Sequence, residues 1–257
     1  VLYVTGTDIW DGERVDLFVS RDIENWTSSN ALNLTGYGIF NTSLCRADDR
    51  YVLMFEVGKP PEIAGQRFTA RFATSTDLER WELTPPECTY SRDRYTAPHC
   101  LRYLDGYFYN FYLEAHEGYE QRLVRSPDLV EWEPSPHNPV LRPSDDDRRI
   151  GNPSSLSAPE RKRVTTAENL NNSDIDFCEY IWEYNGQVII NYSWGNQRGI
   201  EHLAEAVFES FDAEAVTVLD VGGVLAAAGS IDTAGFVAGN DVFNLSGQEI
   251  RFTEIEL

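Results

Sequence analysis

A seven-residue phrase that occurs three times in the first half of this chain constrains its fold more than any other feature. The phrase is Ser-x-Asp-Ile/Leu-x-x-Trp, and its copies occupy residues 20–26, 75–81 and 126–132. The copies follow one another at intervals of about 50 residues, and self-similarity at so long a period is typical of a repeat architecture.

The residues before each copy predict short antiparallel strands. Before the third copy, an apolar run at 100–104, a turn at Asp105-Gly106 and an aromatic run at 107–113 are followed by a polar loop and another short run at 121–125. The second copy is preceded by runs in the same order, at 43–47, 51–57 and 67–74. Each unit is therefore predicted to be a four-stranded antiparallel meander whose last strand carries the Trp, which is the size of one propeller blade.

The phrase itself is predicted to be structural. Its Ser and Asp side chains can accept hydrogen bonds from nearby backbone N–H groups, and its Trp can cover an apolar seam between two sheets. These residues are expected to build the repeat units and to take no part in chemistry.

Composition is consistent with one large all-β domain that spans residues 1–257. With 42% hydrophobic residues, a chain of this length can bury a sizeable core. No apolar stretch reaches the roughly 18 residues that a membrane-spanning helix needs, and the residues given show no signal peptide. The localisation is left open between the cytoplasm and secretion.

The charge of the chain bears on its partners. Forty-two acidic residues against 21 basic ones give a formal net charge of −21. A surface this negative repels nucleic acid and anionic membranes, so neither is expected as a partner.

Four cysteines lack the spacing of a zinc site: Cys45, Cys88, Cys100 and Cys178. Most of them fall in the runs that open a repeat unit, where a buried thiol acts as a small hydrophobic group. Free, buried thiols are predicted, with a disulfide or a metal ligand as the alternative.

The repeat pattern weakens after the third copy. Residues 143–172 are polar and show no periodicity, which predicts a long surface loop. A fourth unit is predicted from Ser173 to Phe208, with a turn at Asn185-Gly186. Residues 222–257 form an irregular tail that could supply closing strands.

The repeated phrase, combined with Ala97-Pro98 and the following Asp105-Gly106-Tyr107, resembles the five-bladed β-propeller glycosidases of glycoside hydrolase families 43 and 32. The resemblance implies an all-β, five-bladed β-propeller of four-stranded antiparallel blades, with an incomplete first blade. It implies a glycosidase, a hydrolase of O-glycosyl bonds, whose substrate is an oligo- or polysaccharide. No cofactor or bound metal is expected, although a central ion is an alternative.

These families place three carboxylates at the propeller axis, on the innermost strands of three blades. Cleavage of a glycosidic bond needs one protonated and one ionised carboxyl group. Aligning the turns at Gly106 and Gly186 sets His99 opposite Glu179, and the resemblance then assigns the general acid to the cluster of Asp174, Asp176 and Glu179. Glu179 is the expected acid and Asp176 its ionised partner, with the reverse assignment left open.

The sequence departs from the family pattern in two places. His99 stands after Ala-Pro where family 43 members typically carry an Asp, and such a histidine could act at the site, bind a central ion or be structural. The first unit lacks its base Asp, unless Asp241 or a residue upstream supplies it. A non-catalytic propeller that binds carbohydrate or protein is therefore the alternative function, and phosphorolysis of the family 130 type is a third hypothesis.

Substrate-binding residues are expected where inner strands begin and on the rim loops at the same face. Aromatic, amide and carboxylate groups together suit the apolar faces and hydroxyls of sugars. The predicted substrate-binding residues are Asn41, Asp8, Trp10, His116, Trp194 and Gln197.

Overall fold

The computed structural model describes residues 2–7, 12–115, 119–136, 138–142, 153–166, 169–178, 187–195, 202–208, 211–212 and 217–218. Within these ranges the chain is almost entirely β-structure. The strands are β1 (Leu2–Thr7), β2 (Arg14–Ser20), β3 (Trp26–Asn33), β4 (Gly38–Ala47), β5 (Arg50–Lys59), β6 (Thr69–Ser75), β7 (Glu82–Leu83), β8 (Thr96–Leu104), β9 (Tyr107–Ala115), β10 (Tyr119–Ser126), β11 (Glu133–Pro134), β12 (Asn169–Cys178), β13 (Gln187–Gly195), β14 (His202–Phe208), β15 (Phe211–Asp212) and β16 (Thr217–Val218). The helices are α1 (Pro61–Ala64) and α2 (Ala158–Thr165), and a 3₁₀ turn covers Pro153–Ser155.

Two of the sheets have four strands each, in the orders β4-β5-β6-β7 and β8-β9-β10-β11. The strand pairs recorded within these sheets are antiparallel. The predicted four-stranded meanders of the second and third units are therefore confirmed.

The first sheet has three strands, in the order β1-β2-β3. The repeated phrase joins β2 to β3, as it joins β6 to β7 and β10 to β11 in the next two sheets. By this correspondence β1 is equivalent to the second strands β5 and β9. Among the described residues, no strand occupies the first position of this sheet, which agrees with the expected incomplete first unit.

The chain divides into two compact units, one of residues 1–115 and 123–134, the other of residues 116–122 and 135–257. In the first unit, a buried apolar cluster with Leu17, Leu53 and Phe55 joins the first sheet to the second. Another cluster, with Met54 and Leu101, joins the second sheet to the third. The three sheets thus pack face to face in sequence order.

Strand β5 is buried on both faces. Its odd-numbered residues, such as Leu53 and Phe55, face the first sheet, and its even-numbered residues, such as Val52 and Met54, face the third. Because side chains alternate across a strand, Glu56 belongs to the face that is turned toward the third sheet.

The repeated phrase forms the same turn in all three copies. Ser20, Ser75 and Ser126 each accept, at Oγ, the backbone N–H of the residue three positions on, at 2.8, 2.8 and 2.9 Å. The Asp of each copy accepts the next two free N–H groups through Oδ1. The predicted structural role of the phrase is confirmed.

The tryptophans of the phrase differ in burial. Trp81 packs into the cluster between the first and second sheets, and Trp132 stacks on Phe72 between the second and third, with ring centroids 5.2 Å apart. Trp26 is 40% exposed and donates its Nε1–H to the Ile23 carbonyl. Two of the three indoles therefore cover inter-sheet seams as expected.

The prediction of a continuous loop over residues 143–172 is wrong in part, because this stretch contains α2 and the start of β12. A capping box begins the helix: the Ser157 N–H is donated to Glu160 Oε2 at 2.6 Å, and Glu160 N–H is donated to Ser157 Oγ at 3.5 Å. The Ser-x-x-Glu spacing was the available sequence signal.

The second unit contains a sheet of order β12-β13-β14, in which both strand pairs are antiparallel. These strands fall within the predicted fourth unit, although β12 begins four residues before Ser173. The turn at Asn185-Gly186 and the tail at 222–257 lie outside the described residues. The five-blade count and the single-domain interpretation stay predictions.

The cysteines whose surroundings the structure describes are free and buried, as the sequence predicts. Cys45, Cys88 and Cys100 are free and buried. Burial raises the pKa of the Cys45 thiol to about 12. Cys178 is the last residue of β12.

In the part of the chain that the structure describes, none of the helices is both long and apolar enough to span a bilayer.

Candidate functional site

A β-bulge interrupts three strand pairs at the same register position. On β4 the bulge lies between Ile39 and Thr42, on β8 between Thr96 and His99, and on β12 between Leu170 and Ser173. Bulges re-aim side chains and are common beside functional sites. These three first strands thus share one local distortion near their N-terminal ends.

The bulge on β4 sets two residues, Phe40 and Asn41, opposite the single residue Glu56 of β5. Asn41 is exposed at this point, whereas the Glu56 side chain is fully buried. Asn41 donates from Nδ2 to Oε2 of Glu56 at 2.8 Å. A surface amide is therefore anchored on a buried carboxyl group.

The other oxygen of Glu56 faces the third sheet. Glu56 Oε1 lies 2.9 Å from Nδ1 of His99, whose side chain is also fully buried. This contact is a hydrogen bond between an imidazole nitrogen and a carboxyl oxygen. Each oxygen of Glu56 thus has a hydrogen-bond partner, as a buried carboxyl group requires.

Aromatic rings hold the imidazole of His99. Tyr112 stacks on it with ring centroids 5.6 Å apart, and Tyr90 lies at a tilted angle at 5.9 Å. The Tyr90 hydroxyl accepts a hydrogen bond from Asn110 Nδ2 at 2.8 Å. The pKa of Tyr90 is raised well above its usual value, mainly by burial and further by Tyr112 and Glu56, so this hydroxyl stays neutral.

The second ring nitrogen of His99 is unsatisfied. Nε2 is buried and has no hydrogen-bond partner among the residues that the structure describes. Asn41, Glu56 and His99 thus form a cluster, called here the buried carboxyl cluster, with one exposed end at Asn41 and one unsatisfied nitrogen inside.

Two hydrogen bonds between the Ser43 hydroxyl and the Leu101 backbone hold the first strands of the second and third sheets together. The Leu101 N–H is donated to Ser43 Oγ at 3.0 Å, and the Ser43 hydroxyl is donated to the Leu101 carbonyl at 3.3 Å. These contacts join β4 to β8 two residues beyond Asn41 and His99, so they position both members of the cluster.

Glu56 was missed by reasoning from the sequence, which placed functional acids only at the starts of first strands. Its signal was present in the run Val52–Val57, where Glu56 is the one charged residue among apolar neighbours. A charge in a strand that is buried on both faces needs a partner, and such groups often mark functional sites.

Among the residues predicted to be catalytic, His99 is the one whose side-chain contacts the structure describes. Asp174 and Asp176 lie on β12, where they pair with Asn191 and Ile189 of β13. Glu179 follows the last residue of β12 and lies outside the described residues. Convergence of these acids with His99 stays a prediction.

Of the residues predicted to bind substrate, Asn41 belongs to the buried carboxyl cluster. Trp194 lies on β13 opposite Leu170. The remaining members of this set, Asp8, Trp10, His116 and Gln197, lie outside the described residues.

The predicted alignment of His99 with Glu179 is wrong in register. The bulges place Ser173 of β12 at the position of His99, and Leu170 at that of Thr96. The error came from the hairpin length: eight residues, 179–186, separate the last pair of β12 and β13, against two between Leu104 and Tyr107. Counting seven residues back from Gly186 therefore stops six residues short of Ser173, and the start of β12 carries Asn171 and Asn172 at its bulge.

Metal ligands are not grouped in the described part of the chain, where no three His, Cys, Asp or Glu side chains are placed to hold an ion. The expectation of a central ion as an alternative stays untested.

Comparison with solved structures identifies the fold. The chain matches the family 32 β-fructofuranosidase of Bombyx mori with a TM-score of 0.57 at 16% identity, over 83% of this chain and 44% of that one. It matches a sucrose-6-phosphate hydrolase from Lactobacillus gasseri at 0.55 and 9% identity, over 83% and 43%. A thermostable family 43 glycoside hydrolase matches at 0.52 and 14% identity, over 81% and 65%.

The chain therefore shares the fold of glycoside hydrolases of families 32 and 43, as the resemblance in its sequence predicted. It spans 43 to 65% of the length of these three structures. No family model and no curated protein matches the sequence.

Proposed function

We propose that this chain is a glycoside hydrolase domain that cleaves an oligo- or polysaccharide by carboxylate acid/base catalysis. The observation that carries the proposal is the fold shared with family 32 and family 43 enzymes. The first strands of three sheets, β4, β8 and β12, are bulged at one register position, and this shared distortion supports the proposed five-bladed β-propeller.

The proposed acids come from the fourth unit. Glu179 is the general acid that protonates the leaving oxygen, and Asp176 is its ionised partner, with the reverse assignment as the alternative. Asp174 completes the cluster. Crowding of these three carboxyl groups would raise the pKa of one of them by like-charge repulsion and leave another ionised. Asp241 is the candidate for the base Asp of the first blade.

The proposed substrate-binding residues lie at the same face of the propeller. Asn41 presents its amide at the start of β4, and Asp8, Trp10, His116, Trp194 and Gln197 supply aromatic and polar groups from the rim. Such a mixture fits a sugar ring, which has apolar C–H faces and a rim of hydroxyls.

The test is hydrolysis of a panel of 4-nitrophenyl furanosides and pyranosides, with sucrose and β-1,3-galactotriose as natural probes, since these sugars are bound in two of the matched structures. Glu179→Gln should lower kcat by about 10²–10⁴-fold, the usual contribution of a general acid. The matched control is Glu79→Gln, an exposed change in the second copy of the repeated phrase, which should leave kcat unchanged. Equal activity of the wild-type protein and Glu179→Gln removes Glu179 from the mechanism.

A second candidate, a non-catalytic propeller that binds carbohydrate, is favoured by the state of His99. This residue replaces the expected Asp, is fully buried and is hydrogen-bonded to Glu56, so it supplies no carboxylate to the axis. Saturable binding of an oligosaccharide without release of any product would select this candidate. Cleavage that depends on added phosphate would select phosphorolysis.

A further inference from the structure

We propose that Glu56 is a positioning residue that holds the Asn41 amide in one orientation, so that Asn41 offers a fixed acceptor to a hydroxyl group of the saccharide. The inference rests on the proposed function for the identity of the ligand. The orientation itself follows from the geometry of the buried carboxyl cluster.

The orientation of Asn41 is set by its contact with Glu56. A carboxyl oxygen that accepts a hydrogen bond from an amide must face its NH₂ group, because the amide oxygen has no hydrogen to donate. The observed contact, from Asn41 Nδ2 to Glu56 Oε2 at 2.8 Å, has this arrangement. Because Asn41 is exposed, its carbonyl oxygen Oδ1 and its second side-chain N–H can then face the solvent.

Glu56 cannot turn away from Asn41 without losing its other partner. Its Oε1 is held by His99 Nδ1 at 2.9 Å, and His99 is itself packed between the rings of Tyr112 and Tyr90. Both the carboxyl group and the imidazole are fully buried, so water does not compete for either group. A rigid support beneath a surface side chain is the arrangement that preorganises a binding group.

The bulge does not by itself require this polar pair. In the third sheet, the equivalent bulge sets Ala97 and Pro98 opposite Leu113, and the position is apolar on both strands. Asn41 and Glu56 therefore supply something beyond local β-structure. An amide with one fixed acceptor and one fixed donor matches two adjacent sugar hydroxyls, one of which donates while the other accepts.

The test combines a structural and a functional measurement. In ¹⁵N-labelled protein, the Asn41 side-chain amide of the wild type should show slowed solvent exchange relative to the exposed Asn33. Glu56→Leu, which introduces the residue found at the equivalent position of the third sheet and removes both acceptor oxygens, should abolish this difference. With the 4-nitrophenyl glycoside that the wild type cleaves fastest, Glu56→Leu and Asn41→Ala should each raise KM about tenfold and leave kcat within about twofold, as expected for loss of one positioned hydrogen bond.

A double-mutant cycle separates this role from a general loss of stability. The double variant Asn41→Ala/Glu56→Leu should bind no more weakly than either single variant, because both changes remove the same interaction. The matched control is Glu120→Leu, which removes another buried carboxyl group, held by Arg142 and Arg122 at 2.9 and 3.3 Å, and should leave KM unchanged. Additive effects on KM, or an unchanged KM in Glu56→Leu, would overturn the proposal.

Two further outcomes are distinguishable. If Glu56→Leu fails to fold, Glu56→Asp keeps the carboxyl group but shortens its reach, and it should release the Asn41 amide in the exchange experiment. Retention of slow exchange in Glu56→Asp counts against the proposal. If the wild type binds and cleaves no saccharide while the exchange result holds, the proposed function is overturned and the orientation of Asn41 is supported.

Discussion

Nδ1 of His99 lies 2.9 Å from Oε1 of Glu56, and both side chains are fully buried although they come from different sheets. The pair connects β8 to β5 and continues to the surface through Asn41. Together with the apolar cluster and the Ser43–Leu101 hydrogen bonds, this polar link sets the relative position of the second and third sheets.

Loss of one member of this pair should be costly. His99→Phe removes one of the two hydrogen-bond partners of the buried Glu56 carboxyl group and leaves Asn41 as the other, and an unsatisfied buried polar group typically lowers the free energy of unfolding by about 1–3 kcal/mol. Urea denaturation of the wild type and the variant measures this change. The double variant Glu56→Gln/His99→Phe should recover part of the loss, whereas Glu79→Gln should cause none. Equal stability of His99→Phe and wild type would contradict the assigned pairing.

The conserved geometry of the repeated phrase allows a matched pair of glycine substitutions. Ile23 and Leu129 occupy the same left-handed position, with φ of 59° and 66°, where an L-residue is strained. Ile23 is 44% exposed, so Ile23→Gly relieves strain at little loss of packing and should raise the free energy of unfolding by up to about 1 kcal/mol.

Leu129→Gly should have the opposite effect, because Leu129 is buried in the cluster between the second and third sheets. Removal of a buried leucine typically costs about 2–5 kcal/mol, which exceeds the strain that glycine relieves. Thermal unfolding of both variants checks the prediction. A change of the same sign in both would mean that burial does not decide the outcome.

The serine of the phrase should contribute through one backbone hydrogen bond. Ser126 is fully buried and accepts the Leu129 N–H at 2.9 Å, so Ser126→Ala leaves that N–H without a partner. An unsatisfied buried donor costs about 1–3 kcal/mol. Ser28→Ala, an exposed change on β3, is the control and should stay within about 0.5 kcal/mol. Equal midpoints for the two variants in urea would show that the turn does not need its serine.

The aspartates of the phrase should make stability depend on acid pH. The pKa of Asp22 is lowered to about 2, chiefly by the side chain and backbone N–H of Asn25, and the pKa values of Asp77 and Asp128 are lowered by backbone N–H groups. Because the folded pKa lies below the unfolded value near 3.8, the contribution is present above about pH 4 and is lost as the pH falls toward 2.

The double variant Asp77→Asn/Asp128→Asn tests this sign. Asparagine keeps an acceptor oxygen but does not titrate, so the melting temperature of the variant should fall less between pH 5 and about pH 2.5 than that of the wild type. Parallel curves for the two proteins over this interval would show that these carboxylates do not contribute to the acid dependence.

The local sequence pattern is sufficient to predict the repeat units of this protein. The period of the Ser-x-Asp-Ile/Leu-x-x-Trp phrase and the turns at Asp48 and Asp105 predicted the four-stranded sheets, because hairpins are encoded by neighbouring residues. The same short-range logic failed at Glu179, since the length of the hairpin over residues 179–186 cannot be inferred from a glycine alone.

The buried carboxyl cluster forms through tertiary packing and could not be predicted from local sequence. Glu56 and His99 are 43 residues apart in the chain, and they meet because β5 presents its even-numbered face to the third sheet while a bulge on β8 sets the register of His99. Neither condition is a property of nearby residues. The sequence by itself therefore determined which strands form and where they turn. Only the packing of one sheet on the next selected which polar side chains are hydrogen-bonded in the core, because that choice depends on distances between strands far apart in the chain.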